Sequence, residues 1–333
     1  MKLATLKSKN SRDGELIVVS RDNKKAVKVP LISPSLREAV ESWSKSQPQL
    51  LDVYEKLNSG TVKGEFEVKI EDLHSPLPRS FQWADGSAFL HHVKLVRQAR
   101  KAPLPENLYK TPLMYQGGSD IFLAPTESIP QIDFSHGTDF EAEVAVVVDD
   151  VEMGVSPEVA LNKILLLLIV NDVSLRGLIP EELSAGFGFF QSKPSSAFGP
   201  FALTPDELGD AWVSGRVYLP LLVKYNDQEF GRANGKEMHF HFGELIAHAA
   251  RTRYLSAGTI IGSGTFSNEN PEVGSSCLVE KRMIETIESG DAKTPFMSVG
   301  DSIEIKMLGQ SGEDLFGTIK QRVAAHTNNQ TKV

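Results

Sequence analysis

A short stretch that opens with acidic residues and continues as an apolar run constrains this chain most. The segment Asp139-Phe140-Glu141-Ala142-Glu143 is followed by Val-Ala-Val-Val-Val up to residue 148. β-branched residues favour strands, and successive side chains of a strand point to opposite faces. Because the run is apolar at odd and even positions alike, we predict a strand buried in the interior. The same alternation puts the carboxylates of Glu141 and Glu143 on one face of that strand.

Strand-forming segments dominate the chain beyond residue 80. Besides 140–148, we predict strands at 120–123, 201–204, 217–226, 259–262 and 302–307. Apolar residues at helical spacing, or segments of suitable length, predict helices at 88–100, 158–170 and 243–253. Many strands of irregular spacing with few helices indicate a β-rich α+β fold, a sandwich or a roll, rather than a βαβ winding.

The first part of the chain has a different pattern. β-forming residues between turn signals predict a small hairpin within residues 1–29. Ser35 and Glu38 fit a capping box, which predicts a helix that continues to about residue 57. Pro48 lies inside this pattern and predicts a break there, because proline lacks the N–H that an α-helix needs.

A proline-containing stretch at 74–79 interrupts the regular patterns on either side of it. We take this stretch as a domain boundary. The chain is therefore predicted to hold a small N-terminal domain over residues 1–78 and a larger domain over residues 79–333.

Charge and cysteine content limit the partners and the compartment. The 333 residues carry a net charge of −8 and no dense basic stripe, which argues against a nucleic-acid partner. The one cysteine, Cys277, excludes an intramolecular disulfide and indicates a reducing compartment. The longest apolar run, 164–170, is far shorter than the roughly 20 residues that cross a bilayer. We expect a soluble, cytoplasmic protein without a membrane partner.

Glu141 and Glu143 are the first candidate metal ligands. Two like charges on one face of a strand repel each other unless solvent or a cation separates them. A buried strand offers little solvent, and a hard divalent cation prefers oxygen ligands, so a metal site is one interpretation. The other is a polar strand end at a sheet edge.

Two further stretches could add ligands. The apolar run 164–170 ends in Asn171-Asp172, and Arg176 follows four residues after the aspartate, close enough to balance negative charge. Asp85 can start a helix whose second turn carries His91 and His92. For each stretch the alternative is structural: an aspartate that caps a turn or a helix, and histidines without a catalytic role.

Five short motifs occur in the order found in the fumarylacetoacetate hydrolase family. They are Tyr115-Gln116-Gly117, Glu141-x-Glu143, Asn171-Asp172-x-Ser174-x-Arg176, Gln191-Ser192-Lys193 and Gly262-Ser263-Gly264-Thr265. The resemblance covers roughly residues 80 to 310 and is specific because the motifs agree in order. It implies a small N-terminal domain before a mixed β-sandwich roll, and a homodimer.

The resemblance also implies the roles of individual residues. A divalent cation, Mg²⁺, Ca²⁺ or Mn²⁺, would be held by Asp85, Glu141, Glu143 and Asp172. The catalytic residues would be His92 as general base, Glu280 orienting it, and Lys193. Substrate would be bound by Tyr115, Arg176 and Thr265.

The implied activity is hydrolysis of a carbon–carbon bond in a diketo acid. The first candidate is fumarylacetoacetate, cleaved to fumarate and acetoacetate in the catabolism of tyrosine and other aromatics. Gly177-Leu178-Ile179-Pro180 stands where the resemblance implies a glutamine a few residues beyond the arginine, so the substrate can differ. Rival functions on the same scaffold are an acylpyruvate (fumarylpyruvate or maleylpyruvate) hydrolase, an oxaloacetate decarboxylase and an isomerase of dienedioates. A non-catalytic, metal-stabilised binding protein is a rival of another class.

Overall fold

The computed structural model describes residues 1–99, 103–104 and 106–326. Its strands are β1 Lys2–Leu6, β2 Glu15–Val19, β3 Lys25–Lys28, β4 Phe66–Glu67, β5 Leu73–His74, β6 Trp83–Gly86, β7 Met114–Gly117, β8 Ile129–Gln131, β9 Thr138–Asp139, β10 Ala142–Val148, β11 Ile164–Asn171, β12 Ser174–Leu175, β13 Ala197–Phe198, β14 Ala202–Leu203, β15 Trp212–Val213, β16 Arg216–Val217, β17 Leu221–Tyr225, β18 Gln228–Gly231, β19 Ile260–Gly262, β20 Ser302–Met307 and β21 Ile319–Ala325. Its α-helices are α1 Leu36–Glu41, α2 Trp43–Asn58, α3 Leu90–Ala99, α4 Pro157–Leu161, α5 Ile179–Ala185, α6 Phe242–Ala249 and α7 Leu278–Ser289.

One large sheet runs through the molecule. Its strand order is β4-β3-β2-β1-β14-β11-β10-β19-β6-β7, with β13 paired to β11 and β5 paired to β1. The pair β19 and β6 is parallel, and the other pairs along this path are antiparallel. Every residue of the central strands β10 and β11 is buried. The candidate site lies where these two strands meet β19 and β6.

Both faces of the central strands are covered, which explains their two-sided apolar sequence. Val146 of β10 packs in one core cluster with Ile305 of β20, which belongs to a second sheet of order β18-β17-β20-β21-β8. Its neighbour Val147 points to the opposite face and packs in another cluster with Val40 of α1 and Leu50 of α2. The fold is therefore a β-rich, mixed sandwich roll with a small N-terminal domain, as the sequence predicted.

The N-terminal hairpin is confirmed, but the described residues show only one of the two bonds of the predicted capping box, and the predicted helix break is misplaced. β1 and β2 pair antiparallel, and the Ser35 hydroxyl accepts a hydrogen bond from the Glu38 N–H at the start of α1. The break falls at Ser42, whose backbone is not helical, and Pro48 lies inside α2. Pro48 is the sixth residue of α2, where its missing N–H removes one helical hydrogen bond, the one to the Ser44 carbonyl, without ending the helix.

The helix predicted over residues 158–170 is wrong. A short helix, α4, ends at Leu161, and β11 begins at Ile164. A segment that is apolar at every position has no period that separates helix from strand, and length alone favoured the helix. Residues 164–171 form a strand because they pair with β10, and Val170 lies opposite Glu143 in this pairing.

The other predicted elements are mostly confirmed. The segments 140–148, 201–204, 217–226, 259–262 and 302–307 contain β10, β14, β17, β19 and β20, and 243–253 contains most of α6. The segment 88–100 contains α3, and Arg100 lies outside the described residues. The segment 120–123 is not a strand, because only Leu123 forms an isolated bridge, to Ala197.

The division into residues 1–78 and 79–333 stays a prediction. Strands from both parts share the large sheet, since β1 pairs with β14. The tail beyond residue 326 lies outside the described residues. Among the described helices, none combines the length and the apolar character needed to span a bilayer.

Candidate active site

Four buried carboxylates converge at one end of the central strands. Asp85 lies on β6, Glu143 on β10, Glu141 directly before β10 and Asp172 directly after β11. Each offers an oxygen that lies within 4.8 Å of an oxygen of every other member. These are the four residues predicted as metal ligands from three separate stretches, and neighbouring strands bring them together.

Asp85 reaches the cluster from a strand, so the prediction that it starts a helix is wrong. It pairs in parallel with Gly262 of β19, and α3 begins only at Leu90. A Cβ atom on Gly262 would lie 2.2 Å from the Asp85 Oδ1 atom, so only glycine leaves room for this carboxylate. The Gly264 N–H donates a hydrogen bond of 3.1 Å to the same oxygen.

The electrostatics of the cluster favour a bound cation. Burial and the charge of Asp172 raise the pKa of Asp85 well above its usual range, and burial and Asp85 do the same for Glu143. Among the described residues, neither oxygen of Glu143 has a hydrogen-bond partner. A buried carboxylate without a partner is costly, and oxygen donors at this spacing suit Mg²⁺, Ca²⁺ or Mn²⁺. The four residues therefore fit a divalent metal site.

Lys193 and Arg176 supply positive charge beside these acids. The Lys193 Nζ atom lies 2.6 Å from Glu141 Oε2 and 2.5 Å from Asp172 Oδ2. Arg176 contacts Glu141 Oε1 at 2.5 Å. Although burial opposes ionisation of Glu141, the charges of Arg176 and Lys193 hold its pKa below the usual range. The buried Lys193 and the partly buried Arg176 do not balance the charge of the buried acids, which leaves negative charge for a metal ion.

Asp139 belongs to this centre, and the sequence reasoning missed it. It is fully buried, accepts a hydrogen bond of 2.9 Å from Arg176 Nε, and accepts two more from the N–H groups of Leu278 and Val279. Asp139 thus joins the arginine to the start of α7. The available signal was its spacing: Asp139, Glu141 and Glu143 alternate along one stretch, so all three share a face.

His92 and Glu280 form a hydrogen-bonded pair next to the carboxylates. The His92 Nδ1 atom lies 2.9 Å from Glu280 Oε2, although the residues are 188 positions apart in the chain. His92 lies on α3 and Glu280 in the first turn of α7, and these helices pack on each other. The Cys277 thiol lies beside the pair, with ligand atoms of all three residues within 4.8 Å of one another.

Tyr115 also lies at the cluster. Its hydroxyl donates a hydrogen bond of 2.7 Å to Asp172 Oδ2, and its ring lies 5.1 Å from the Lys193 Nζ atom. Burial and Asp172 raise the pKa of Tyr115 well above its usual range, so the hydroxyl keeps its proton. The ring of Phe189 packs edge-on against the Tyr115 ring, with 5.3 Å between the ring centroids. The sequence did not predict this contact.

Thr265 is the predicted site residue with the weakest link to the centre. It is buried in the loop after β19, where the next residue, Phe266, donates its N–H to the Ala142 carbonyl. Within the part of the chain that the structure describes, the Thr265 hydroxyl makes no hydrogen bond to the four carboxylates. Ser196, which was not predicted, does so through its hydroxyl, at 2.7 Å from Asp172 Oδ1.

The sandwich roll and its buried acidic centre are those of an enzyme fold with a divalent-metal site. The protein-family model described as "Fumarylacetoacetate (FAA) hydrolase C-terminal" matches residues 82–324. A second family model, "Fumarylacetoacetase N-terminal domain 2", matches residues 1–79. The chain belongs to the fumarylacetoacetate hydrolase family.

Curated relatives with similar sequences are named for different activities. The chain is 26% identical over 216 residues to a 2,4-didehydro-3-deoxy-L-rhamnonate hydrolase of Sphingomonas sp. (strain SKA58), covering 64% of this chain and 65% of that relative. It is 23% identical over 319 residues to the oxaloacetate tautomerase YisK of Bacillus subtilis, covering 93% of both. The first match thus spans slightly less than two thirds of its relative.

Solved structures share the fold at low identity. A structure described as an HpcE protein from Mycobacterium smegmatis superposes with a TM-score of 0.66 at 19% identity, covering 98% of this chain and 100% of the other. A maleylpyruvate hydrolase from Sphingobium sp. SYK-6 gives a TM-score of 0.66 at 16% identity with the same coverage. At these identities the likeness concerns the fold alone.

Proposed function

We propose that this protein is a metal-dependent hydrolase that cleaves a carbon–carbon bond in a small diketo acid. The observation that carries the proposal is the hydrogen bond of 2.9 Å between His92 Nδ1 and Glu280 Oε2 beside the carboxylate cluster. A cation site alone suits hydrolysis and isomerisation equally. Hydrolysis also needs a base that activates water, and an oriented histidine is such a base.

The bond to Glu280 assigns the two ring nitrogens of His92 different roles. With Nδ1–H donated to the Glu280 carboxylate, Nε2 carries the free lone pair and accepts the proton of water. The carboxylate then stabilises the imidazolium that forms, as the aspartate does in a serine-protease triad. Hydroxide adds to the carbonyl carbon, the carbon–carbon bond breaks, and the leaving carbon takes a proton, so that one water is added in all.

The remaining residues stabilise negative charge and hold the substrate. A divalent cation bound by Asp85, Glu141, Glu143 and Asp172 would supply Lewis-acid polarisation of the substrate carbonyl. We assign the buried Lys193 ammonium to the developing negative charge, because it lies among the same carboxylates. We assign Tyr115, Arg176 and Thr265 to substrate binding on the family resemblance.

The relatives and the acidic centre support a diketo acid as the substrate class that we propose. A 1,3-dicarbonyl acid presents two oxygens that can chelate one cation, and the rhamnonate hydrolase is named for a sugar acid oxidised at positions 2 and 4. Fumarylacetoacetate is the first substrate to test, and acylpyruvates such as maleylpyruvate are the second. The homodimer stays a prediction of the family resemblance.

Tautomerisation of oxaloacetate is the second candidate function. The observation in its favour is coverage: the tautomerase matches 93% of this chain, including the N-terminal region. A tautomerase moves a proton without adding water. Product analysis therefore separates the two functions, because only hydrolysis yields two acids from one substrate.

The test is an assay of purified protein with Mg²⁺ or Mn²⁺ on fumarylacetoacetate, maleylpyruvate and oxaloacetate, with products identified by mass spectrometry. We expect cleavage of a diketo acid, and we expect His92→Ala to lower kcat by about 10² to 10⁴-fold, the usual contribution of a general base. Metal affinity, measured by calorimetry, should not change in this variant.

His91→Ala is the matched control, because it removes a neighbouring histidine of the same helix. It should retain the wild-type rate. Cleavage that survives His92→Ala at full rate would refute the assignment of the base. Tautomerisation without cleavage of any diketo acid would favour the second function instead.

A further inference from the structure

The cluster of His92, Cys277 and Glu280 contains three kinds of metal ligand at one place. Their ligand atoms lie within 4.8 Å of one another, and Cys277 and Glu280 are buried while His92 is partly open. In a tetrahedral zinc site the bonds are about 2.0 to 2.3 Å, so neighbouring ligand atoms lie about 3.5 Å apart. Small side-chain movements therefore suffice to bring the three atoms onto one ion.

The fold holds these ligands firmly. Cys277 is the N-cap residue of α7, and Glu280 lies in the first turn of the same helix. Asp139 accepts hydrogen bonds from the backbone N–H groups of Leu278 and Val279, which fixes the start of α7. A backbone bridge joins Cys277 to Glu141 of the carboxylate centre. The thiol therefore faces the His92–Glu280 pair from a rigid position.

The chemistry of this cluster differs from that of the four carboxylates. A thiolate and an imidazole select soft or borderline ions such as Zn²⁺ and Cd²⁺, whereas all-oxygen ligands suit Mg²⁺, Ca²⁺ and Mn²⁺. One thiolate and one carboxylate also neutralise a divalent ion inside a buried site. Binding releases the thiol proton to solvent, and His92 binds in its neutral form.

We propose that His92, Cys277 and Glu280 form a second, inhibitory site for thiophilic divalent metals such as Zn²⁺, distinct from the carboxylate centre. Coordination of the ion by either ring nitrogen of His92 would inhibit the enzyme. Coordination through Nδ1 replaces the hydrogen bond to Glu280, and coordination through Nε2 occupies the lone pair that accepts the proton of water. The inhibitory effect rests on the proposed function, whereas the metal site itself does not.

The first test uses Cd²⁺ alone as a spectroscopic probe on the full chain, with excess Mg²⁺ present to fill the carboxylate centre. Binding to the site produces a cadmium–thiolate charge-transfer band in the ultraviolet. Since Cys277 is the one cysteine of the chain, Cys277→Ser should abolish the band. His92→Ala keeps the thiol and should weaken Cd²⁺ binding by more than about tenfold, the loss that weaker outer contacts already cause at metal sites.

The second test measures turnover of the diketo acid while Zn²⁺ is titrated at fixed Mg²⁺. We expect Zn²⁺ to inhibit the wild type, and Cys277→Ser to keep its basal rate while needing at least about tenfold more Zn²⁺ for the same inhibition. Equal inhibition of both proteins would place the inhibitory ion at the carboxylates and overturn the proposal. Absence of the thiolate band in the wild type would also overturn it, even if no substrate were found, because the band does not depend on turnover.

Discussion

The carboxylate of Glu143 shows at the residue scale how this site depends on a cation. Both of its oxygens are buried, and neither has a hydrogen-bond partner among the described residues. Asp85 and Asp172, which lie beside it, carry charge of the same sign. A divalent ion relieves both the missing partners and the repulsion, so metal binding and folding stability should be linked at this residue.

Glu143→Gln tests this linkage. Removing one charged ligand should lower the affinity for Mg²⁺ or Mn²⁺ by about a hundredfold. At a metal concentration 100 times its Kd the wild type gains about 2.7 kcal/mol of stability, and the variant should then gain less than about 0.5 kcal/mol. Thermal unfolding with and without metal measures the gain. Glu152→Gln, at an exposed loop position, is the control and should respond as the wild type does, whereas an undiminished gain in Glu143→Gln would contradict the assignment.

The sequence was sufficient to predict which acidic side chains lie together at the centre, because their grouping follows from residue type, spacing and order in the chain. Glu141 and Glu143 were placed on one face by strand alternation, and the family resemblance singled out Asp85, Asp172 and His92. Asp139 was missed because its partners, Arg176 and the start of α7, are distant in the chain. Their convergence depends on the packing of α7, which no local pattern encodes.

At the scale of elements, the central strands show where local patterns stop being informative. β10 was predicted because its β-branched residues left little alternative. β11 was predicted as a helix because a segment that is apolar at every position from 164 to 170 is compatible with both structures. The choice is made by pairing with β10, and this pairing also delivers Asp172 to the position beside Glu141.

The loop that carries Lys193 is held by one residue of α5. The carboxylate of Glu182 accepts hydrogen bonds from the N–H groups of Phe190, Gln191 and Ser192, and from the Ser192 hydroxyl. Lys193 follows directly and reaches Glu141 and Asp172. Glu182 is therefore a positioning residue, because it fixes the backbone immediately before the buried lysine.

Glu182→Gln should lower kcat for the diketo acid by about 10- to 100-fold, because a misplacement of about 1 Å caused far from the reacting atoms can cost about a hundredfold. The reason is that a neutral amide offers one acceptor oxygen where the carboxylate offers two. Steady-state kinetics measure the change, and the thermal midpoint should stay near that of the wild type because Glu182 is only partly buried and Phe190 and Gln191 are exposed. Glu181→Gln, at the preceding exposed position of α5, is the control, and an equal loss in both variants would argue against a positioning role.

At the scale of the whole molecule, Asp13 ties distant parts of the chain together. Its carboxylate lies 2.7 Å from Arg79 Nε and 2.8 Å from an Arg37 nitrogen, and Arg79 is the last residue of the stretch predicted as the domain boundary. The hydrogen bond from Arg79 lowers the pKa of Asp13, although burial opposes this. A folded-state pKa below the unfolded value means that the ionised carboxylate stabilises the fold.

This pair of contacts predicts a pH-dependent stability. Asp13→Asn should lower the free energy of unfolding by about 1.5 to 2 kcal/mol at pH 7, at the low end of the range for hydrogen bonds to charged groups. The difference from the wild type should be complete above the unfolded pKa of about 3.9 and shrink as the pH falls below it. Urea unfolding at several pH values measures it. Asp52→Asn, which removes an exposed pair with Lys56, should cost about 0.5 kcal/mol or less, and a pH-independent loss at Asp13 would refute the explanation.

The shared sheet has a consequence for how this chain could be rearranged in evolution or in the laboratory. β1 completes the backbone pairing of β14, and α1 and α2 shield one face of the central strands. A polypeptide that lacked the first 79 residues would expose the unpaired backbone N–H and C=O groups of β14 and an apolar surface on the central strands. Both features promote self-association. We therefore expect the N-terminal segment to protect the larger part of the chain from aggregation. An N-terminal domain exchanged from a relative would have to restore both the pairing with β14 and the packing of the two helices.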